Sequence, residues 1–72
     1  MSVYKVIDLI GTSTTSWEDA ATSAVKEASK TLRDLRVAEV TELDIAVDDS
    51  DPSNPVMTYR AKISLSFKYE GS

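Results

Sequence analysis

The sequence predicts a single α+β domain with the element order β-α-β-β, and three features predict it. A β-branched opening segment stops at Gly11, apolar residues recur at steps of three and four from Trp17 to Leu35, and Met57 to Tyr69 alternates apolar with polar throughout. At 72 residues there is room for one domain, residues 1–72, and no more.

Val3, Tyr4, Val6, Ile7 and Ile10 mark the first strand, with Gly11 to Thr15 predicted as a polar turn after it. Tyr4, Val6 and Ile10 fall on one face of this strand and Val3, Ile7 and Leu9 on the other. A strand apolar on both sides needs cover on both sides, and in so small a chain the second cover is expected from another subunit. Ser16 then reads as a helix N-cap, paired with Asp19 three residues on and supported by Glu18 in the first turn. From Trp17 to Leu35 the apolar positions 17, 20, 21, 24, 25, 28, 32 and 35 form one stripe of an amphipathic helix. Its first half is alanine-rich, which lets helix and sheet approach closely. Lys26, Glu27, Lys30 and Arg33 lie mostly on the solvated side.

Arg36 to Val47 returns to strand character, but Glu39, Thr41 and Leu43 share one parity, so a bulge or a change of facing partner is expected. Asp48 to Pro55 is turn chemistry. In the last strand Met57, Tyr59, Ala61, Ile63, Leu65, Phe67 and Tyr69 form a buried face, and Thr58, Arg60, Lys62, Ser64, Ser66 and Lys68 an outward one. A helical crossover makes the first two strands parallel. The hairpin then sends the third back between them, giving a three-stranded antiparallel sheet with the third strand central. One helix covers only part of such a sheet.

Composition excludes whole classes of chemistry. The chain has no cysteine and no histidine, 8 basic against 12 acidic residues, and 42% apolar residues. Disulfides, thiol nucleophiles and thiolate metal sites are ruled out, and so are histidine acid/base catalysis and histidine ligation. A net charge of −4 argues against a phosphate-tracking nucleic-acid binder. Oxygen-coordinated hard cations fit the carboxylate surplus. Chains below about 70–80 residues usually need a staple, and without disulfides that leaves oligomerisation or a bound ion. No stretch reads as a signal peptide or membrane span, so a cytoplasmic location is the expectation.

Few local motifs carry chemistry. Asp49, Asp51 and Ser53 have the first three spacings of an EF-hand loop, but Asn54 stands at the glycine position and Arg60 at that of the bidentate glutamate. The stretch reads as a solvated hairpin loop. Thr12 to Ser16 lacks the Gly-Lys ending of a phosphate loop and reads as capping. Glu42 and Asp44 project from one strand face about 7 Å apart. With Asp8 from a neighbouring strand, or with a symmetry mate, they are the candidate ligands for a hard cation. Trp17 is expected as a packing or subunit-contact anchor, and Arg60 as an ion-pair partner for Glu42 or Asp44, or as a cap on an anionic ligand.

The pattern resembles the dodecins. The match is carried by Tyr4 to Ser13, Ala28 to Leu35, Ala38 to Glu42, Tyr59-Arg60-Ala61 and Leu65-Ser66-Phe67, and it spans nearly the whole chain with a longer acidic loop. The resemblance implies a β-α-β-β subunit whose sheet wraps one helix, assembled as a homododecameric hollow shell that binds and stores a ligand without catalysis. In dodecins a flavin such as FMN or riboflavin stacks between tryptophans of adjoining subunits. A tryptophan just after the helix and a glutamine on the last strand carry that binding, and the matching positions here are Val37 and Arg60. Valine removes a stacking contribution on the order of 1 kcal/mol per ring, and arginine cannot accept a hydrogen bond. Trp17 and Arg36-Val37-Ala38 are more similar to the branch called calcium dodecin. The expectation is therefore a binding or storage shell with itself as partner, taking calcium on Asp8, Glu42 and Asp44. Flavin binding in a rearranged pocket, and a protein-interaction module without a small ligand, are the alternatives. Neither nucleic acid nor membrane is an expected partner.

Overall fold

The computed structural model describes residues 1–69. Its elements are β1 (Tyr4–Ser13), α1 (Trp17–Ser29), β2 (Leu35–Asp48) and β3 (Val56–Lys68). The sheet order is β1-β3-β2, and β3 pairs antiparallel with both neighbours. The fold is the β-α-β-β arrangement that the sequence predicts.

The alternation in β3 organises the core. Ala61, Ile63 and Leu65 are buried beneath α1 and join Ala20 and Ala28 of the helix; Ile7, Leu9, Ala24, Val25, Leu32 and Leu35 pack around them. The even-numbered residues of β3 face the other side. Small residues at the contact bring helix and sheet together, as the alanine stripe implies.

Two boundaries differ from the sequence reading. Gly11 does not end the first strand; β1 runs on to Ser13, with Gly11 opposite Ala61 and Thr12 opposite Arg60. Gly11 is there for space, since a Cβ on it would meet the Ala20 carbonyl and lie 2.9 Å from the Ala24 Cβ. The helix ends at Ser29 rather than Leu35. The Thr31 and Leu32 amides both donate to the Ala28 carbonyl, closing the last turn. Asp34 then takes φ 57°, the left-handed region that aspartate tolerates better than most residues. Leu32 and Leu35 continue the apolar spacing because they cover the same core from the connecting segment and from β2.

The expected irregularity of β2 is present as two register shifts against β3, between Leu35 and Val37 and between Val40 and Glu42. Bulging out Thr41 keeps Val40, Leu43, Ile45 and Val47 on the helix side and sends Glu42 and Asp44 outward. The Thr41 hydroxyl donates to the Lys62 carbonyl.

Helix and strands differ in reach. Thirteen helical residues span about 20 Å, whereas the fourteen of β2 span about 45 Å. The β2–β3 hairpin therefore projects beyond the helix start, and the molecule measures 56 × 20 × 17 Å. Leu43, Ile45, Val47 and Met57 keep 41–61% of their surface exposed on this arm. Tyr4, Val6 and Ile10 are exposed on the outer face of β1, which bears out the two-sided pattern of that strand. No helix among the described residues is long and apolar enough to cross a membrane.

Candidate functional site

The strongest polar constellation lies on the outer face of the sheet, where β2 meets β3. Asp44 and Arg60 are directly opposed, and their side chains form a two-point ion pair. Arg60 Nε donates to Asp44 Oδ1 at 2.7 Å and Nη2 to Oδ2 at 2.8 Å. Of the two carboxylates considered as its partner, Arg60 takes Asp44. These hydrogen bonds hold the Asp44 carboxyl below the ordinary carboxylate range and raise the Arg60 guanidinium above its usual value.

Asp44 is tied from its backbone as well. Its carbonyl accepts the Trp17 indole N–H at 2.9 Å, and the Trp17 ring meets Tyr59 edge-on with centroids 5.1 Å apart. The helix start is thus fastened to the base of the hairpin, the packing role expected of Trp17. Composition hides Tyr59 as its partner, but the inward parity of Tyr59 on β3 signals it.

The linkage has a defined sign. Because the Asp44 pKa is depressed on folding, the pair contributes its full stability above the ordinary aspartate range and loses it as pH falls through the lowered value. Wild type is therefore expected to be more stable than Asp44→Asn at neutral pH, with the gap closing in acid. Urea midpoints of both proteins across that range measure it; a gap constant with pH would refute the assignment.

One chain does not bring the three candidate metal ligands together. Glu42 stands opposite Lys62, while Asp8 stands opposite Ser64 on the other side of β3. Two strand spacings and a two-residue offset separate them by roughly 12 Å. Asp44 is on the same face as Glu42 but already engages Arg60. Among the described residues no group of three or more carboxylates is placed to hold a metal ion. The oxygen chemistry of these side chains is that of hard-cation ligands, but one chain does not gather them into a set.

Val37 and Arg60 are likewise apart. Val37 pairs with Ser66, six residues from Arg60 along β3 and roughly 20 Å away. Val6 also pairs with Ser66, so Val6, Ser66 and Val37 form a row across all three strands on the outer face.

The remaining motifs are internally satisfied. Asp48 accepts the Ser50 amide at 3.1 Å, which lowers its pKa, and Asp51 accepts the Ser53 amide and hydroxyl at 3.2 and 2.8 Å. These are Asx turns, in keeping with a solvated loop. At the helix start Ser16 Oγ accepts the Asp19 amide at 3.0 Å, a cap worth about 1 kcal/mol. The reciprocal half of the capping box is absent. Ser13 takes that place, donating to Asp19 Oδ2 at 2.7 Å and accepting the Thr15 and Ser16 amides. Only the extension of β1 to Ser13 makes this possible, which is why the sequence did not signal it.

Comparison with known proteins matches this architecture throughout. The calcium dodecin of Mycobacterium tuberculosis is 56% identical over 68 residues, covering 94% of this chain and 90% of that protein. A crystal structure of calcium dodecin from that organism, a calcium-chelating immunodominant antigen with a novel calcium-binding site, superposes with a TM-score of 0.83 at 54% identity over 99% of this chain and 96% of that one. The dodecin of Streptomyces coelicolor gives a TM-score of 0.83 at 31% identity, over 99% and 96% of the two chains. The dodecin family model matches residues 3–70. With its strand order, its single packed helix and this likeness over almost its entire length, the chain belongs to the dodecin family.

Proposed function

We propose that this chain is the subunit of a non-enzymatic homododecameric shell that binds calcium through carboxylates and does not hold a flavin by tryptophan stacking. The observation that carries the reading is the 56% identity to calcium dodecin. Two substitutions support it. Val37 offers no aromatic platform, and the Arg60 side chain is committed to Asp44. Of the outer-face carboxylates, Glu42 and Asp8 are the proposed ligands, and Asp44 becomes one only by releasing Arg60. Ligands from neighbouring subunits complete the set, as a cation needing six to eight oxygens requires. A bound calcium would supply charge neutralisation between carboxylates that otherwise repel.

Calorimetry on EDTA-treated protein tests this. Saturable calcium binding is expected, weakened in Glu42→Ala; an absence of saturable heat, or an unchanged titration in the variant, overturns it.

The row of exposed Val6 and Val37 on either side of half-buried Ser66 favours a second reading, in which a planar ring such as a flavin lies against this face. Riboflavin fluorescence separates the two, because a stacked flavin is quenched.

A further inference from the structure

The helix lies mainly over β1 and β3, and along β2 it leaves an open groove. Val40 floors this groove, Ala21 and Val25 wall it, and Lys26 stands at its rim around a volume of about 380 Å³. Past Ala21 and Val40 it runs on into a second stretch of about 400 Å³, over Leu43 toward Trp17 and Glu18 at the helix start. The floor is apolar and uncovered by its own chain, with Val40 and Leu43 47% and 52% exposed.

The two ends of the groove differ in charge and in rigidity. Lys26 is exposed and has no ion-pair partner among the described residues. A lysine at such a rim lays its methylenes on apolar surface and offers its ammonium to whatever lies there. At the other end Trp17 is fixed, its indole N–H on the Asp44 carbonyl at 2.9 Å and its ring against Tyr59. Glu18 adds a negative charge beside it. The nine helical steps from Trp17 to Lys26 set these ends about 14 Å apart, the extended length of a carboxylate of about ten carbons.

We infer that the groove binds a medium-chain fatty carboxylate, its alkyl chain along Val25, Val40 and Leu43, its carboxylate at the Lys26 ammonium and its methyl end against Trp17. Charge sets the direction, because the reverse pose puts the carboxylate beside Glu18. The lining supplies the affinity, as much as about fourfold for each methylene removed from water. The fixed Trp17 ring sets the length limit. This groove is on the helix side of the sheet, opposite the face that carries Glu42, Asp44 and the Val6–Val37 row, so it stands apart from the calcium and flavin readings.

Titration of the full chain with decanoate, below its micelle-forming concentration, tests this through Trp17, the single tryptophan. A saturable change in emission is expected, with octanoate binding roughly tenfold more weakly than decanoate and tetradecanoate no more tightly than dodecanoate. Lys26→Glu is expected to weaken decanoate binding about fivefold and to take decyltrimethylammonium more tightly than wild type does. Val40→Asp, at a position already half exposed, should abolish decanoate binding. Far-UV circular dichroism matching wild type shows that the variants fold. No saturable change, affinity that keeps rising beyond dodecanoate, or undiminished decanoate binding in Lys26→Glu overturns the assignment. So does binding to phosphatidylglycerol vesicles without binding to free decanoate. Calcium calorimetry on the same preparation reads the other face, so either proposal can fail while the other stands.

Discussion

Replacing Gly11 by alanine is expected to lower stability by about 2–3 kcal/mol through overpacking, although alanine normally improves on glycine within a strand by about 0.5–1 kcal/mol. The sign reverses because the added Cβ would run into the Ala20 carbonyl and sit 2.9 Å from the Ala24 Cβ. Both obstacles belong to the helix face that covers the sheet. To admit one methyl group α1 must lift, and lifting it separates Ala20 and Ala28 from Ala61 and Ile63. A domain of 72 residues has a total stability of about 4–10 kcal/mol, so this single atom removes a large share. Urea unfolding measures it as a lower midpoint; an unchanged or raised midpoint would show that the helix yields freely.

The second large effect belongs to Leu65. It is fully buried, as is Ile63, and these two are the only large side chains wholly enclosed among the described residues. Leu65→Ala is expected to cost about 3–4 kcal/mol, the transfer free energy of the lost atoms plus that of the cavity. The thin core has few neighbours able to collapse into the space. Val56→Ala, at the exposed start of the same strand, should stay within about 0.5 kcal/mol. Thermal melts of the pair test the contrast, and a Leu65→Ala protein melting with wild type would mean that the core lies elsewhere.

Much of this architecture is written in local patterns. The 57–69 alternation identifies β3 and its buried Ala61, Ile63 and Leu65 because that strand has helix on one side only. Met57 and Tyr69, also expected on the buried face, are about half exposed because the helix does not reach them, and Tyr69 lies past the strand end. The helix start is legible in Ser16, where a polar side chain must satisfy free amides. The helix end is not, because Leu32 and Leu35 keep a helical spacing while covering the core from outside the helix; periodicity reports which side a residue faces, not the backbone that holds it. Gly11 misleads in a similar way. A glycine that permits close approach is indistinguishable in sequence from one that permits a turn. For the polar residues, parity puts Glu42 and Asp44 on one strand face; that Asp8 shares the face follows only from the pairing registers with β3. The central place of β3, which the hairpin implies, is what separates Asp8 from the other two, so the predicted strand order already counts against Asp8 as a neighbour of Glu42. The Asp44–Arg60 pair is legible once β2 and β3 are read as a hairpin.

The bulge at Thr41 has a geometric consequence. Deleting that one residue would leave Val40, Glu42 and Leu43 alternating regularly, each on the face it now occupies. No apolar side chain would turn to solvent and no carboxylate would turn inward. The strand would, however, lose the local bend and extra twist that a bulge imparts, and the hairpin beyond it would point along a different line. Thr41 therefore acts on direction rather than on composition. The exposed arm that carries Ile45, Val47 and Met57 inherits its heading from this bend, so one surplus residue sets where that apolar surface points.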